Sequence, residues 1–388
     1  MNRTFRVANI LGIPIEINVS WLITLVFVTS ALALQFYPET FPKGSRFRDD
    51  EVVHWVMAIA SGLVFFASIL LHELAHSVIA RRQGIPVKNI TLFIFGGVSQ
   101  IGGEARRPLY EFVMALVGPL TSLLLGFVFF GAWWLTGHSD TSPAAVVLEW
   151  LFFMNFVLAI FNMAPGFPMD GGRVLRSIIW GITGNLYRAT RIATLVGRGM
   201  GYSLMFIGGA AFFGVLSDWI SPWNGAWFAI LGMFLESSAR QAWLQARAID
   251  ILGRYKAEEI MNADLETAEM TDALRYLTSR GGLHFIYFVA DPEEQVVGVL
   301  TEKEIADAGE GATETKTAAD VMRRTDQVPI ATPREDGASL LQRMEADSLW
   351  HMPVVSDGRV VGVVSKESLL KLLAQGLFPQ QQRPGVAT

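Results

Sequence analysis

His72, Glu73 and His76 stand within five residues in the stretch "ILLHELAHSVIARR", 69–82. Histidines four apart on a helix share one face, so both imidazoles can reach one ion. Glu73 follows the first histidine, where a carboxylate can hold a water beside that ion. This is the spacing of metal hydrolases, in which zinc acidifies the water and the glutamate accepts its proton. In a soluble loop the trio would often be coincidence. Here it follows the run "WVMAIASGLVFFASILL", 55–71, which is as apolar as lipid. Ionisable groups in a membrane helix are costly and usually functional. A metal offsets that cost by gathering imidazoles and a carboxylate around one charge.

Two histidines leave a zinc site short of a third protein ligand. The chain has no cysteine, which excludes disulfides and thiolate ligation, so His, Asp or Glu must supply it. His54 begins the same helix about five turns earlier, His138 falls in a loop on the opposite side, and His284 and His351 lie in the polar C-terminal part. Asp170 is better placed. It is the only acidic residue between Glu149 and Asp218, in the Pro- and Gly-rich stretch "NMAPGFPMDGGR", 162–173. Irregular backbone at membrane depth survives only where it is buried in protein or faces a water-filled cavity, which marks this stretch as a site. Capping a helix over 171–183 is the other role open to Asp170.

These residues need a membrane scaffold, and the composition supplies one. Residues 1–250 carry 17 Lys and Arg against 14 Asp and Glu, with ten of the eleven tryptophans; residues 251–388 carry 14 against 22. An apolar, aromatic-rich membrane part therefore precedes an acidic soluble part. No basic cluster suggests nucleic-acid binding. Apolar runs of spanning length occur near 17–37, 53–80, 109–136, 144–163, 192–217 and 223–243. The N-terminus, with Arg3 and Arg6 ahead of an apolar run and "ALA" at 31–33, could pass for a signal peptide; the long lead-in and the later spans favour a retained first span.

Basic residues orient the spans. Arg81, Arg82, Lys88, Arg106 and Arg107 fall in the 81–108 connection, and Arg173, Arg176, Arg188 and Arg191 in 173–191; the connections 137–143 and 218–222 hold none. The loop 38–52 is the exception, with Lys43, Arg46 and Arg48 beside four acids. Six spans with both termini in the cytoplasm fit this pattern and place His72 and His76 near the cytoplasmic face. Between the second and third spans, "VKNITLFIFGGVSQI", 87–101, alternates and has Gly96 and Gly97 where a turn belongs. It is too short to span as a helix and reads as a re-entrant or interfacial β-hairpin, with a surface loop as the alternative.

The pairing of "HELAH", 72–76, with "NMAPGFPMDGG", 162–172, on the second and fourth spans resembles the site-two protease family of intramembrane zinc metalloproteases. The family's leucine before the aspartate is Met169 here, a volume-conserving swap. "FGGVSQ", 95–100, and "VGPLTS", 117–122, also resemble family positions, so the likeness covers about 1–245. The resemblance implies one zinc ion held by His72, His76 and Asp170, with Glu73 as general base. It further implies that Asn162, Gly96 and Gly97 serve the substrate backbone or the developing oxyanion. With no PDZ-like insertion between spans, the chain resembles the compact bacterial and archaeal branch.

The acidic tail holds an internal repeat. "AEEIM", 257–261, matches "AADVM", 318–322, and "VVGVLTEKEI", 296–305, matches "VVGVVSKESL", 360–369. The pattern resembles tandem CBS domains, in which a Gly-x-x-Ser/Thr-x-x-Asp run commonly binds an adenine nucleotide. Here the runs read Gly298, Thr301, Glu304 and Gly362, Ser365, Ser368, so the aspartate is missing from both. Two readings stand: an adenine-nucleotide site involving Thr301, Glu304 and Ser365, or a dimerisation or docking module without ligand.

The expected fold is a polytopic α-helical membrane protein of about six transmembrane helices with a re-entrant β-hairpin, followed by a soluble α+β tandem CBS pair. The expected division is 1–245 protease domain, 246–256 linker, 257–310 and 311–376 CBS domains, and 377–388 flexible tail. The expected partners are a membrane-protein substrate, the lipid bilayer of a prokaryotic cytoplasmic membrane and a second copy through the CBS pair, with no nucleic acid. The rivals are a CBS-gated metal transporter and a non-proteolytic scaffold. A transporter has no need of Glu73 and would be expected to carry an inverted repeat, which is not evident.

Overall fold

The structure is a computed structural model describing residues 4–94, 96–137, 142–216, 218–280, 285–293, 296–309 and 311–377. His138, His284 and the tail 378–388 lie outside the described residues. The chain divides into two units, Met1–Trp243 and Leu244–Thr388.

The first unit is built on long helices: α1 Val19–Thr40, α2 Glu51–Arg82, α3 Pro108–Leu135 and α4 Pro143–Asn162. These four are long and apolar enough to cross a membrane. Asn18 starts α1 by accepting from the Ser20 N–H, and Asp50 starts α2 by accepting from the Val53 N–H. Arg81 and Arg82 in the last turn of α2 complement its carbonyl end. The burial pattern suits lipid rather than water. Ser61, Ser68, Ser77, His72 and His76 of α2 are buried, while Leu22, Ile23, Val26, Phe27, Leu120 and Leu124 of α1 and α3 are exposed.

Three further helices follow: α5 Asp170–Thr183, α6 Leu186–Phe212 and α7 Pro222–Leu252. The expected fifth span, 192–217, overlaps α6 only as far as Phe212, and the expected sixth, 223–243, lies within α7. Both are long enough, but α6 carries Arg188, Arg191 and Arg198, and α7 carries Glu236, Arg240 and Arg247. The stretch 246–256 is helical as far as Leu252. Gly201 and Gly208 of α6 face the backbones of Gly232 and Gly225 of α7, where added Cβ atoms would collide with main chain.

A four-stranded sheet sits against α2: β1 Thr4–Ile10, β2 Ile13–Asn18, β3 Val87–Phe93 and β4 Gly96–Ile101, in that spatial order. The expected 87–101 hairpin is β3 and β4. The long lead-in to the first span forms an N-terminal hairpin, β1 and β2. Leu11 and Gly12 both take positive φ, which matches the twist of paired strands across a two-residue turn. Pairing of β2 with β3 is parallel, Ile15 opposite Ile90. Buried Ile13, Ile15 and Ile90 pack on Leu70 and Leu74 of α2, one just before the His–Glu–His turn and one within it. This packing leaves β4 as an edge strand beside Glu73.

In the second unit the repeats interlock. The helix Ala257–Ile260 packs not with its own repeat but with Leu340, Met344, Val354 and Leu369 of the second. In exchange, Ala318 of the helix Ala318–Val321 packs with Leu274, Val289 and Leu300 of the first. A strand bridge, Asn262 to Val363, and the pairing of Arg323–Arg324 with Val296–Thr301 carry the same exchange through the backbone. The sequence repeat is therefore offset from the packed cores by one short helix.

Candidate metal centre

The ligand atoms converge. His72 Nε2 lies 3.0 Å from Asp170 Oδ2, His76 Nε2 lies 3.2 Å from the same oxygen, and the two Nε2 atoms are 3.2 Å apart. Among the described residues this is the one cluster of three such side chains able to share a metal. Asp170 is the first residue of α5, with Met169 as the N-cap. The backbone turn at 163–169 therefore delivers the carboxylate to the histidines; the capping role is not its place in the structure.

The chemistry of these atoms calls for a cation. His76 Nδ1 sits 2.6 Å from the Met114 carbonyl oxygen, which can only accept. The Nδ1 therefore carries hydrogen, and the neutral ring offers a lone pair at Nε2. That lone pair points at the Asp170 carboxylate and another imidazole nitrogen, an arrangement that is costly in so little water unless a positive charge, a metal ion or a proton, sits between them. A tetrahedral zinc with bonds of about 2.0–2.1 Å spaces its ligand atoms about 3.3 Å apart, close to the 3.0–3.2 Å found here. The donor set fits zinc: two nitrogens, one oxygen, and a fourth position left for water.

Gly118 keeps the space clear. A Cβ there would lie 2.6 Å from His72 Nε2 and collide with His76 Nε2. One turn on, the Ser122 hydroxyl engages His72 Nδ1 at 2.9 Å. α3 thus fixes both histidine rings from behind, through Met114 and Ser122, in the manner of outer-sphere partners that set ring orientation.

Glu73 is held by the edge strand. Ser99 of β4 donates to Glu73 Oε2 at 2.8 Å, and Ser77 supports Ser99 at 3.1 Å. Two residues earlier on the same strand face, Gly97 lies against the Glu73 stem, where a Cβ would come within 2.6 Å of Cγ. Gly97 therefore abuts the carboxylate bearer. Gly96 takes φ +131°, open to glycine, at the start of β4. Asn162 ends α4, and its Nδ2 donates to the Leu158 carbonyl at 3.0 Å, turned back on its own helix. His54 is occupied elsewhere, its Nε2 lying 2.8 Å from the Phe47 carbonyl oxygen.

Ser122, Ser99, Gly118 and the Met114 carbonyl carry no individual signal in the sequence. "VGPLTS" and "FGGVSQ" flagged their neighbourhoods; a backbone carbonyl carries no residue-type signal at all.

In the second unit, Thr301 and Glu304 line a cavity of about 390 Å³ with Arg323, Trp350 and His351. Glu304 bonds the Thr301 hydroxyl and pairs with Arg323 at 2.7 Å. Ser365 is not among the residues lining this cavity; its hydroxyl lies 2.8 Å from that of Ser368.

The model of Peptidase family M50 matches residues 60–146 and 135–206, and the CBS domain model matches 318–375. A Mycobacterium tuberculosis protein named "Putative zinc metalloprotease Rip3" is 32% identical over 381 residues, covering 96% of this chain and 93% of its own. A zinc metalloprotease of Methanocaldococcus jannaschii is 26% identical over 385 residues, covering 96% and 97%. The solved site-2 protease of that archaeon aligns at 25% identity and a TM-score of 0.42, over 62% of this chain and 95% of its own.

Proposed function

This chain belongs to peptidase family M50, and on that premise we propose that it is an intramembrane zinc endopeptidase. Its substrates are membrane-anchored proteins, cut in or near a transmembrane segment. That it is a membrane metalloprotease follows from the family and the four apolar helices. The observation that carries the finer reading is the meeting of His72, His76 and Asp170 within hydrogen-bond distance, with Glu73 beside them on the same helix.

In this reading His72, His76 and Asp170 would hold the ion, which when bound would supply the chemistry of an acidified water and a polarised carbonyl. Glu73 takes the proton of the attacking water and delivers it to the leaving amine. Ser99 fixes one carboxylate oxygen of Glu73 and so sets the rotation of the base. Asn162 serves as oxyanion donor by exchanging its bond to Leu158 for one to substrate. A transmembrane helix hides its carbonyls, so the substrate must be drawn out extended. β4 is the strand edge that can pair with it, and Gly96 and Gly97 let its backbone approach. Six spans with both termini cytoplasmic, a re-entrant β3–β4 hairpin and a water path from the cytoplasm complete the topology we propose.

The test is cleavage of a labelled single-span substrate by purified protein in vesicles. Cleavage that stops on chelation and returns with zinc supports the reading; zinc uptake into vesicles without cleavage favours a transporter. The CBS pair is assigned a modulating role, with an adenine nucleotide at the cavity lined by Thr301 and Glu304. Titration of the full chain with AMP, ADP and ATP by calorimetry and thermal shift tests it. No heat and no shift leaves a docking or dimerisation module.

A further inference from the structure

α3 contributes no ligand to the cluster, yet one stripe of it touches both histidines and the helix that bears Asp170. Glu111, Met114, Gly118 and Ser122 follow at spacings of three, four and four, which is one helix face, and all four are buried. Ser122 meets His72, the Met114 carbonyl meets His76, and Gly118 makes room between the rings. Glu111 meets the helix that bears the third ligand. Arg176 Nε donates to Glu111 Oε1 at 2.6 Å, and Arg176 Nη2 contacts the same oxygen. Arg173 Nε lies 3.9 Å from it.

Arg173 and Arg176 stand three and six residues beyond Asp170 on α5, so the ion pair grips this helix within two turns of the ligand. The Arg176 guanidinium also lies 5.3 Å from the centre of the Phe167 ring, in the turn that delivers Asp170. The Glu111 side chain is 1% exposed and that of Arg176 9%. Arg176 Nη1 also reaches the exposed Glu104 at 3.4 Å, so losing Glu111 takes away its buried partner and leaves only the solvated one, and the buried pair holds the two helices in one register.

We propose that Glu111 is a positioning residue of the metal centre: through Arg176 it sets the Asp170 carboxylate against the two histidines on α2. α3 is then the common template to which both ligand-bearing helices are indexed. The inference rests on the zinc reading of His72, His76 and Asp170.

The test measures zinc affinity of the full-length protein by competition with a micromolar-range metal indicator, alongside kcat, KM and thermal unfolding. Glu111→Gln removes the charge at nearly constant volume. It is expected to saturate at one zinc per chain with affinity roughly 10–100-fold weaker, and to lower kcat with little change in KM. In an Asp170→Asn background the same change is expected to cost no further affinity, because the ligand it positions is gone. Equal losses in both backgrounds, or unchanged affinity beside a lowered melting temperature, would show that Glu111 merely holds helices together and would overturn the proposal. Glu111→Asp keeps the charge on a shorter stem. If Glu111→Gln does not fold, Glu111→Asp must show the same background dependence with a smaller loss, and its absence refutes the proposal. Should Asp170→Asn alone leave affinity intact, the metal-site reading itself fails, and that outcome is distinct.

Discussion

Gly118→Ala sets two effects against each other, and their magnitudes give the sign. Helix propensity favours alanine over glycine in a helix interior by about 1 kcal/mol. Overpacking a filled site costs about 1–3 kcal/mol. Net stability should therefore fall only modestly, and the protein should fold. The metal site responds differently. The new Cβ would lie 2.6 Å from His72 Nε2, where ordinary contact begins near 3.4 Å, and it collides with His76 Nε2 as well. A ring nitrogen must retreat by roughly 0.8 Å, against a tolerance of about 0.2 Å in metal–ligand distance. Neither ring can swing away cheaply, because Ser122 and the Met114 carbonyl hold both Nδ1 atoms from the same helix. Zinc affinity should fall by more than about 100-fold, beyond what outer-sphere changes usually cost. The assay is metal content by elemental analysis with indicator competition, next to thermal unfolding. Gly131→Ala on the same helix is the control, since nothing lies within 4 Å of its added Cβ. A Gly118→Ala protein holding one zinc with unchanged affinity would refute the placement of the ion between these rings.

Ser99→Ala should leave zinc content intact and lower kcat by about 10-fold or more through a freed Glu73, read by cleavage kinetics; an unchanged kcat would remove Ser99 from the catalytic geometry. Asp320 bears on the second unit. The backbone N–H and hydroxyl of Thr317 donate to its carboxylate and hold it below the usual carboxyl range. A depressed folded value adds stability above the unfolded value of about 3.9 and loses it as pH falls through the folded one. Asp320→Ala should therefore lower the unfolding midpoint at neutral pH, and the gap to the parent should close under acid; a gap independent of pH would contradict this.

The residue types and spacing in "HELAH" and the isolation of Asp170 made the candidate cluster that the structure brings together legible, because each of those residues is chemically unusual in an apolar run. The support behind them was hidden for physical reasons. Met114 acts through its backbone, Gly118 through the absence of atoms, and Glu111 as one acid at the start of a long helix. The N-terminal strands escaped because β2 pairs in parallel with β3, some seventy residues away, and no local turn announces that partner. "IPIEIN" does alternate, with Ile13, Ile15 and Ile17 toward one face, and "LG" ahead of it is a turn signal. The CBS repeat was plain in sequence, yet its units differ from the packed cores, because a short helix is exchanged between copies.

The central claim is that Glu73 works on a water at an ion it does not bind. Glu73→Gln keeps the size of the side chain and a hydrogen-bonding partner for Ser99 while removing the base. We predict one zinc per chain at parental affinity and no cleavage of a single-span substrate. Cleavage at the parental rate, or loss of zinc together with activity, would contradict the account.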